Sequence, residues 1–480
     1  MQPYIYKSLT QGEIRLLTLH PGAEGTRVRI SLDNTPLPSA KDTAQTARLS
    51  LKELQKTLPA QWTVWETLGN RILFYNTGTK STSWTHPCEE FDKALYSEIE
   101  PTTGSLPQFD ALSYTWGLEE DCIEVWVSEK NDPSEDDLPS IQIRPNLDAA
   151  LRHLRYIDRP RKLWIDAVCI NQRDVQERSE QVQRMTDIYR GATRVVVWLG
   201  TASHNSLLAL STIELLGQEL EMTRDNFFYP HPEAVHRDWH HIQTELPFDT
   251  IVWQAFADLF QRPWFERLWI WQEAYLARKD SLVQCGNDTV DWPTFRRTVR
   301  RLYWAVVRSP SQFSTKFKSR IDHVDHLVSN HTGISFNRWI AVANKALCTN
   351  PRDRVYGLLG LAPPGYANAI KPDYNLSVEE VYRSAVIAEL EITNSLTLLC
   401  HCGNAQQHSV ATPSWVPDWS QEKATQTTGL DFAFMASGRS AAYAKYVSPS
   451  ILVVRGVMYG TITSVSAPYQ EVQGLDILAS

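Results

Sequence analysis

Hydrophobic residues along the chain fall into short runs whose period changes several times. Residues 14–19 (IRLLTL) and 27–32 (RVRISL) are β-rich and separated by HPGAEG, which predicts an antiparallel pair. The polar stretch 33–57 reads as a linker ending in a short helix, LSLKELQKTL. Three more β runs fill 58–87, with turns at Leu68-Gly69-Asn70 and Thr77-Gly78-Thr79. A sheet this small has little core, so a Trp packed on a Pro is expected to be its main staple. From 109 the runs lose their alternation, as strands buried on both faces do: FDALSYTWG, KLWIDAVCI and RVVVWLG. Between the first two lie a predicted hairpin, IEVWV with IQIR, and a helix, NLDAALRHLRYI, with Asn146 as its N-cap. Between the last two lies a helix capped by Asp174, with Val175, Val182, Met185 and Tyr189 as its stripe and Gly191 closing it.

Strand, helix, strand, helix, strand predicts an α/β fold with a parallel sheet flanked by helices. Working sites in such sheets lie at the carboxyl ends of the strands, here near Ser113 to Gly117, Asp166 and Gly200. Residues 201–260 read as an insertion, helical around a His-rich loop. SLVQCG follows as a fourth strand, and a mainly helical region runs to about residue 400, where Ser377 and Glu380 form a capping box. The tail from 450 is β-like, with a turn at Gly460. The expected organisation is 1–57, a β hairpin plus linker; 58–88, a small three-stranded β module; 109–286, the α/β domain with its insertion; and 287–480, helical and then β.

Composition narrows the function classes. A net charge of -8 and a pI near 5.9 give no electrostatic footprint for nucleic acid. No apolar window of about 20 residues could span a bilayer. The first residues, MQPYIYKSLTQGEIRLL, lack the pattern of a secretory leader. The seven cysteines are odd in number and scattered, so no disulfide frame is implied. The expectation is a cytoplasmic protein. Seventeen Trp point to large aromatic cores or pockets.

One run raises a chemical question. RPWFERLWIWQEAYLARK (262–279) keeps Glu273 among three Trp. A helix starting after Pro263 would put Phe265, Trp269, Glu273 and Leu276 on one face. A carboxylate in that setting loses hydration, which raises its pKa and suits it to proton handling or to stabilising a cation. The alternative is structural: Glu273 pairs with Arg267 or Arg278. Asp166, with Asn171, Gln172 and Asp174, follows a buried strand and suits ribose hydroxyls, although Asp174 and Asn171 serve equally as cap and turn. In SYTWG, Ser113, Tyr114 and Trp116 offer a hydroxyl, a phenol and a stacking surface, or merely packing. Neither GxGxxG nor GxxxxGK[ST] is present. Cys400-His401-Cys402 with His408 lacks the paired spacing of a zinc site, so no metal is expected.

ALSYTWG (111–117), LWIDAVCINQRDVQERSEQVQRMTDIYRGATRVVVWLG (163–200) and RPWFERLWIWQEA (262–274) together resemble the heterokaryon incompatibility (HET) domain of filamentous fungi. NPRDRVYGLLGLA (350–362), PDYNLSVEEVY (372–382) and PSWVPDWS (413–420) resemble segments that follow it. The resemblance implies a role in non-self recognition ending in cell death. More distantly, the order of elements is similar to TIR domains of a flavodoxin-like parallel fold, some of which hydrolyse NAD. That likeness implies Glu273 as catalytic residue, Ser113, Tyr114, Trp116, Asp166 and Trp269 as pocket residues, and NAD as substrate with no tightly bound cofactor. Cleaving the nicotinamide glycosidic bond passes through an oxocarbenium-like state that a carboxylate stabilises. Other TIR domains only assemble, which implies the rival reading, a non-catalytic module acting by self-association. Residues 58–87 resemble a WW domain, whose groove would map to Trp84, Leu73 and Thr82. Leu73 stands where an aromatic is usual, so the module is expected to bind a Pro-rich peptide weakly or to dock on its own chain.

Overall fold

The computed structural model describes residues 2–23, 25–38, 48–97, 107–117, 120–128, 138–331, 334–402, 412–420 and 441–456. A nine-stranded sheet organises them. In chain order its strands are β1 (Glu13–Leu19), β2 (Arg29–Pro36), β3 (Asp110–Tyr114), β4 (Ile123–Val127), β5 (Ser140–Ile143), β6 (Arg161–Trp164), β7 (Arg194–Trp198), β8 (Leu282–Cys285) and β9 (Asp288–Asp291). In space the order is β9-β8-β7-β3-β6-β1-β2-β4-β5. The four strands β8, β7, β3 and β6 run parallel. The sheet as a whole is mixed: the parallel strands expected form one part of it, and antiparallel strands extend it. Hairpins cause the difference: β8 turns into β9 through Gly286, whose φ of 59° suits glycine, and so short a turn can only join antiparallel strands. On the other side the N-terminal pair β1 and β2 joins antiparallel to β6.

All five residues of β3 are buried, and β7 is buried from Val195 to Trp198. Helix Val175–Gly191 begins as expected, with the Asp174 carboxylate accepting from the amides of Gln176 and Glu177. Its buried face is Gln181, Met185, Ile188 and Tyr189, whereas Val175 is exposed at the first turn. Helix Pro145–Leu154 begins two positions earlier than the sequence predicts, because Pro145 suits the first turn and Arg144 becomes the cap. Asn146 is thereby freed to bridge two strands. Its amide donates to the Thr115 carbonyl (2.6 Å) and its carbonyl accepts from the Trp198 indole (3.0 Å), which ties the exit of β3 to β7.

Trp62–Glu66, Ile72–Asn76 and Ser81–Ser83 form a separate three-stranded antiparallel sheet. Its core of Leu54, Val64, Ile72, Phe74 and Tyr96 is distinct from the main one. Phe74 sits edge-on to His86 (5.4 Å) and Tyr96 (5.2 Å), while helix Leu51–Gln55 contributes Leu54 behind a Ser50/Glu53 capping box. The module therefore reaches past residue 88 and before residue 58 for the apolar partners that three short strands cannot supply. Downstream, the chain is helical over Trp292–Arg308, Thr315–Val328 and Val378–Thr393, the last with the expected Ser377/Glu380 box. Ala444–Ser448 and Ile451–Val454 pair as a hairpin. Gly460 and His408 lie outside the described residues. No described helix is long and apolar enough to cross a membrane.

Candidate functional site

The aromatic run does not form one helix. Pro263–Glu266 is a 3-10 turn, Arg267 is extended, and a helix covers Ile270–Tyr275. The break has a visible cause. Leu347 lies alongside Arg267, its amide donating to the Glu266 carbonyl (2.5 Å) and its carbonyl accepting from the Leu268 amide (2.8 Å). Backbone groups satisfied sideways in this manner leave the helical ladder.

Three side chains of the run, Trp264, Arg267 and Glu273, meet β3. The Trp264 indole donates to Ser113 Oγ (2.8 Å), and Ser113 Oγ donates to Glu273 Oε2 (2.5 Å). Arg267 donates to the Tyr114 carbonyl, and its guanidinium lies 3.9 Å from the Glu273 carboxylate. All of this sits at the carboxyl end of the central parallel strand. Glu273 is 1% exposed and Ser113 is fully buried. Burial lifts the Glu273 carboxyl to about 7; Arg267 opposes the rise, Asp166 adds to it, and the Ser113 hydrogen bond opposes it. Both protonation states of Glu273 are therefore within reach near neutral pH.

Beside this group the Trp116 indole donates to Asp166 Oδ2 (2.9 Å), and the Ala167 amide donates to Oδ1 (2.7 Å). Asp166 opens a single helical turn, Asp166–Cys169, just past β6. Its carboxyl is raised by burial, against the pull of Arg267 and the Trp116 and Ala167 hydrogen bonds. The Arg144 guanidinium lies 5.3 Å over the Trp116 ring. The Tyr114 phenol is pushed well up by burial first and by Asp166 next.

Ser113, Tyr114, Trp116, Asp166 and Glu273 thus share one neighbourhood. Trp269 is placed differently. The Glu273 amide does donate to the Trp269 carbonyl (3.2 Å), but the Trp269 indole donates to Asp353 Oδ2 (3.1 Å). Trp269 keeps helical dihedrals and the i, i+4 backbone bond to Glu273 expected of it, while its indole turns to Asp353. Sequence reasoning does not find Trp264 or Asp353. A buried indole N–H needs an acceptor, which flags Trp264, but nothing in the sequence pairs it with Ser113.

The second candidate region is also occupied by the chain itself. A hairpin of the insertion, Leu220–Met222 with Phe228–Pro230, lies against the three-stranded sheet. Thr82 Oγ1 donates to the Pro230 carbonyl (2.8 Å), Trp84 meets His231 edge-on at 5.5 Å, and Tyr229 packs on Trp65 and Tyr75. Leu73 is fully buried, and the Arg71 guanidinium lies 3.5 Å over Trp84. Arg224 adds an ion pair to Glu66 (3.1 Å).

Residues 109–273, from the strand carrying Ser113 to Glu273 itself, match the heterokaryon incompatibility protein (HET) family. The chain is 28% identical over 439 residues to the heterokaryon incompatibility protein 6, OR allele, of Neurospora crassa, covering 78% of this chain and 63% of the relative. It spans less than two thirds of that relative's length. No solved structure matches.

Proposed function

We propose that this chain is a heterokaryon incompatibility effector, acting in non-self recognition and programmed cell death, and that its HET region hydrolyses NAD with Glu273 as the catalytic carboxylate. The observation that carries the chemical part is the Ser113–Glu273 hydrogen bond at the carboxyl end of β3, beside Asp166 and Arg267. A carboxylate raised to about 7 in an aromatic surround is suited to stabilising the cationic state of glycosidic cleavage, and Trp116 offers a stacking surface beside Asp166. With Glu273 only 1% exposed, substrate entry requires the groups around the carboxylate, Arg267 at 3.9 Å among them, to move. The test is incubation of the purified protein with NAD. Release of nicotinamide by the wild type and its loss in Glu273→Gln support the assignment; equal rates in the two reject it.

The same burial favours a second reading. A carboxylate sealed between a serine and an arginine is also what a structural role requires, and the molecule would then signal by self-association. That reading has toxicity surviving Glu273→Gln in cells. In either case the three-stranded module is proposed to take its own hairpin as its intramolecular partner, leaving Pro-rich peptides as weak competitors.

A further inference from the structure

A group of residues outside the matched region meets the back of the Glu273 helix. Asp353 is buried, and its two carboxylate oxygens are both used: Oδ2 accepts from the Trp269 indole (3.1 Å) and Oδ1 from the Tyr374 hydroxyl (2.8 Å). Trp269 in turn accepts the Glu273 amide through its carbonyl. Asp353 thus stands two bonds from the backbone of the catalytic candidate without touching its carboxylate. Leu347 holds the kink before the helix from the same side. Gly360 completes the contact: a Cβ there would collide with Thr186 Oγ1 and meet Gln272 Cδ at 2.6 Å, so a larger residue would displace the side chain of Gln272, the neighbour of Glu273. Three separate features of residues 347–360 thus converge on the short span 266–273.

We infer that Asp353 is a positioning residue for Glu273: with Leu347 and Gly360 it forms a clasp that fixes where the helix Ile270–Tyr275 begins and so where the Glu273 carboxylate lies relative to Ser113. The chemistry of the clasp is geometric. Asp353 serves as a double acceptor between an indole and a phenol. Asparagine in its place keeps one acceptor for the indole and offers a donor to the phenol oxygen, whereas alanine leaves both partners without theirs.

This inference rests on the catalytic reading only where activity is measured, so the test carries two readouts on the full chain. Hydrogen exchange of the amides of residues 270–276 reads helix placement, and NAD hydrolysis reads its consequence. Asp353→Ala is expected to speed exchange over 270–276 by about tenfold, the scale of the one of its two lost hydrogen bonds that reaches the helix through Trp269, with β8 unchanged. It is expected to lower kcat by a similar factor with KM nearly constant, and Asp353→Asn to restore both readouts to within about threefold. Should Asp353→Ala unfold throughout, Tyr374→Phe, which removes one of the two donors, is expected to show the same local effect more weakly. Unchanged exchange over 270–276 in the folded variants overturns the inference. A wild type that hydrolyses no NAD, with local exchange still dependent on Asp353, rejects the catalytic reading and leaves the clasp standing.

Discussion

Glu273→Gln keeps the volume of the side chain and an oxygen to accept from Ser113, so it isolates the charge. The sign of its effect follows from the raised folded pKa. The wild-type carboxyl is neutral in both states well below 4.5; between 4.5 and about 7 the unfolded chain ionises while the folded one resists, and the fold loses stability as pH rises through that window. Glu273→Gln is therefore expected to be close to wild type at pH 4 and more stable by about 1–3 kcal/mol at pH 8, read by chemical denaturation. A stability difference that does not vary with pH would contradict the desolvated carboxylate. Ser113→Ala acts in the opposite direction. It strips the acceptor from the buried Trp264 indole and the donor from Glu273, which is expected to cost about 1–3 kcal/mol at pH 7 in the same measurement. A near-neutral result would mean that the Ser113 network contributes little to the fold.

Elements are legible in the sequence where the cause is local. The caps at Asp174 and Ser377 and the buried strands β3 and β7 follow from spacing and residue type within a few positions. The aromatic run is not legible as an element. Its pattern fits a helix, and only a backbone partner some 80 positions away, Leu347, shows why Arg267 is extended. Long sequence separation also hides the fate of Trp269, whose indole finds Asp353, and of Trp84, whose ring finds His231. Ser113 and Asp166 stand out because the ends of parallel strands are where such folds place polar groups, and Glu273 because a carboxylate among aromatics loses hydration; Trp264 does not, because packing alone explains a buried Trp. At the junction of module and insertion, Trp84→Ala removes the contacts to His231 and Arg71 while leaving the Leu54, Phe74 and Tyr96 core intact. Hydrogen exchange is expected to rise over 220–231 and stay low over 72–76. Equal protection at both sites would show that Trp84 does not hold the junction.

At the scale of the whole molecule, the family match ends at Glu273, yet the structure that holds Glu273 does not. Leu347, Asp353 and Gly360 press on the span before it, and His323 meets the Phe265 carbonyl at 2.8 Å. A fragment of residues 1–291, which retains all nine strands of the main sheet, is therefore expected to be aggregated or loosely packed, because it exposes the apolar and polar surfaces that these residues cover. Size-exclusion chromatography and near-ultraviolet circular dichroism check this; a monomer with native aromatic signals would contradict it. The central claim concerns chemistry at the end of β3, and one measurement meets it directly: nicotinamide released from NAD by the full chain and by Glu273→Gln at pH 7. Steady release by the wild type is expected, with a loss of at least about a hundredfold in the variant, the usual scale for a catalytic group. Equal release by the two proteins, or none by either, would contradict the claim.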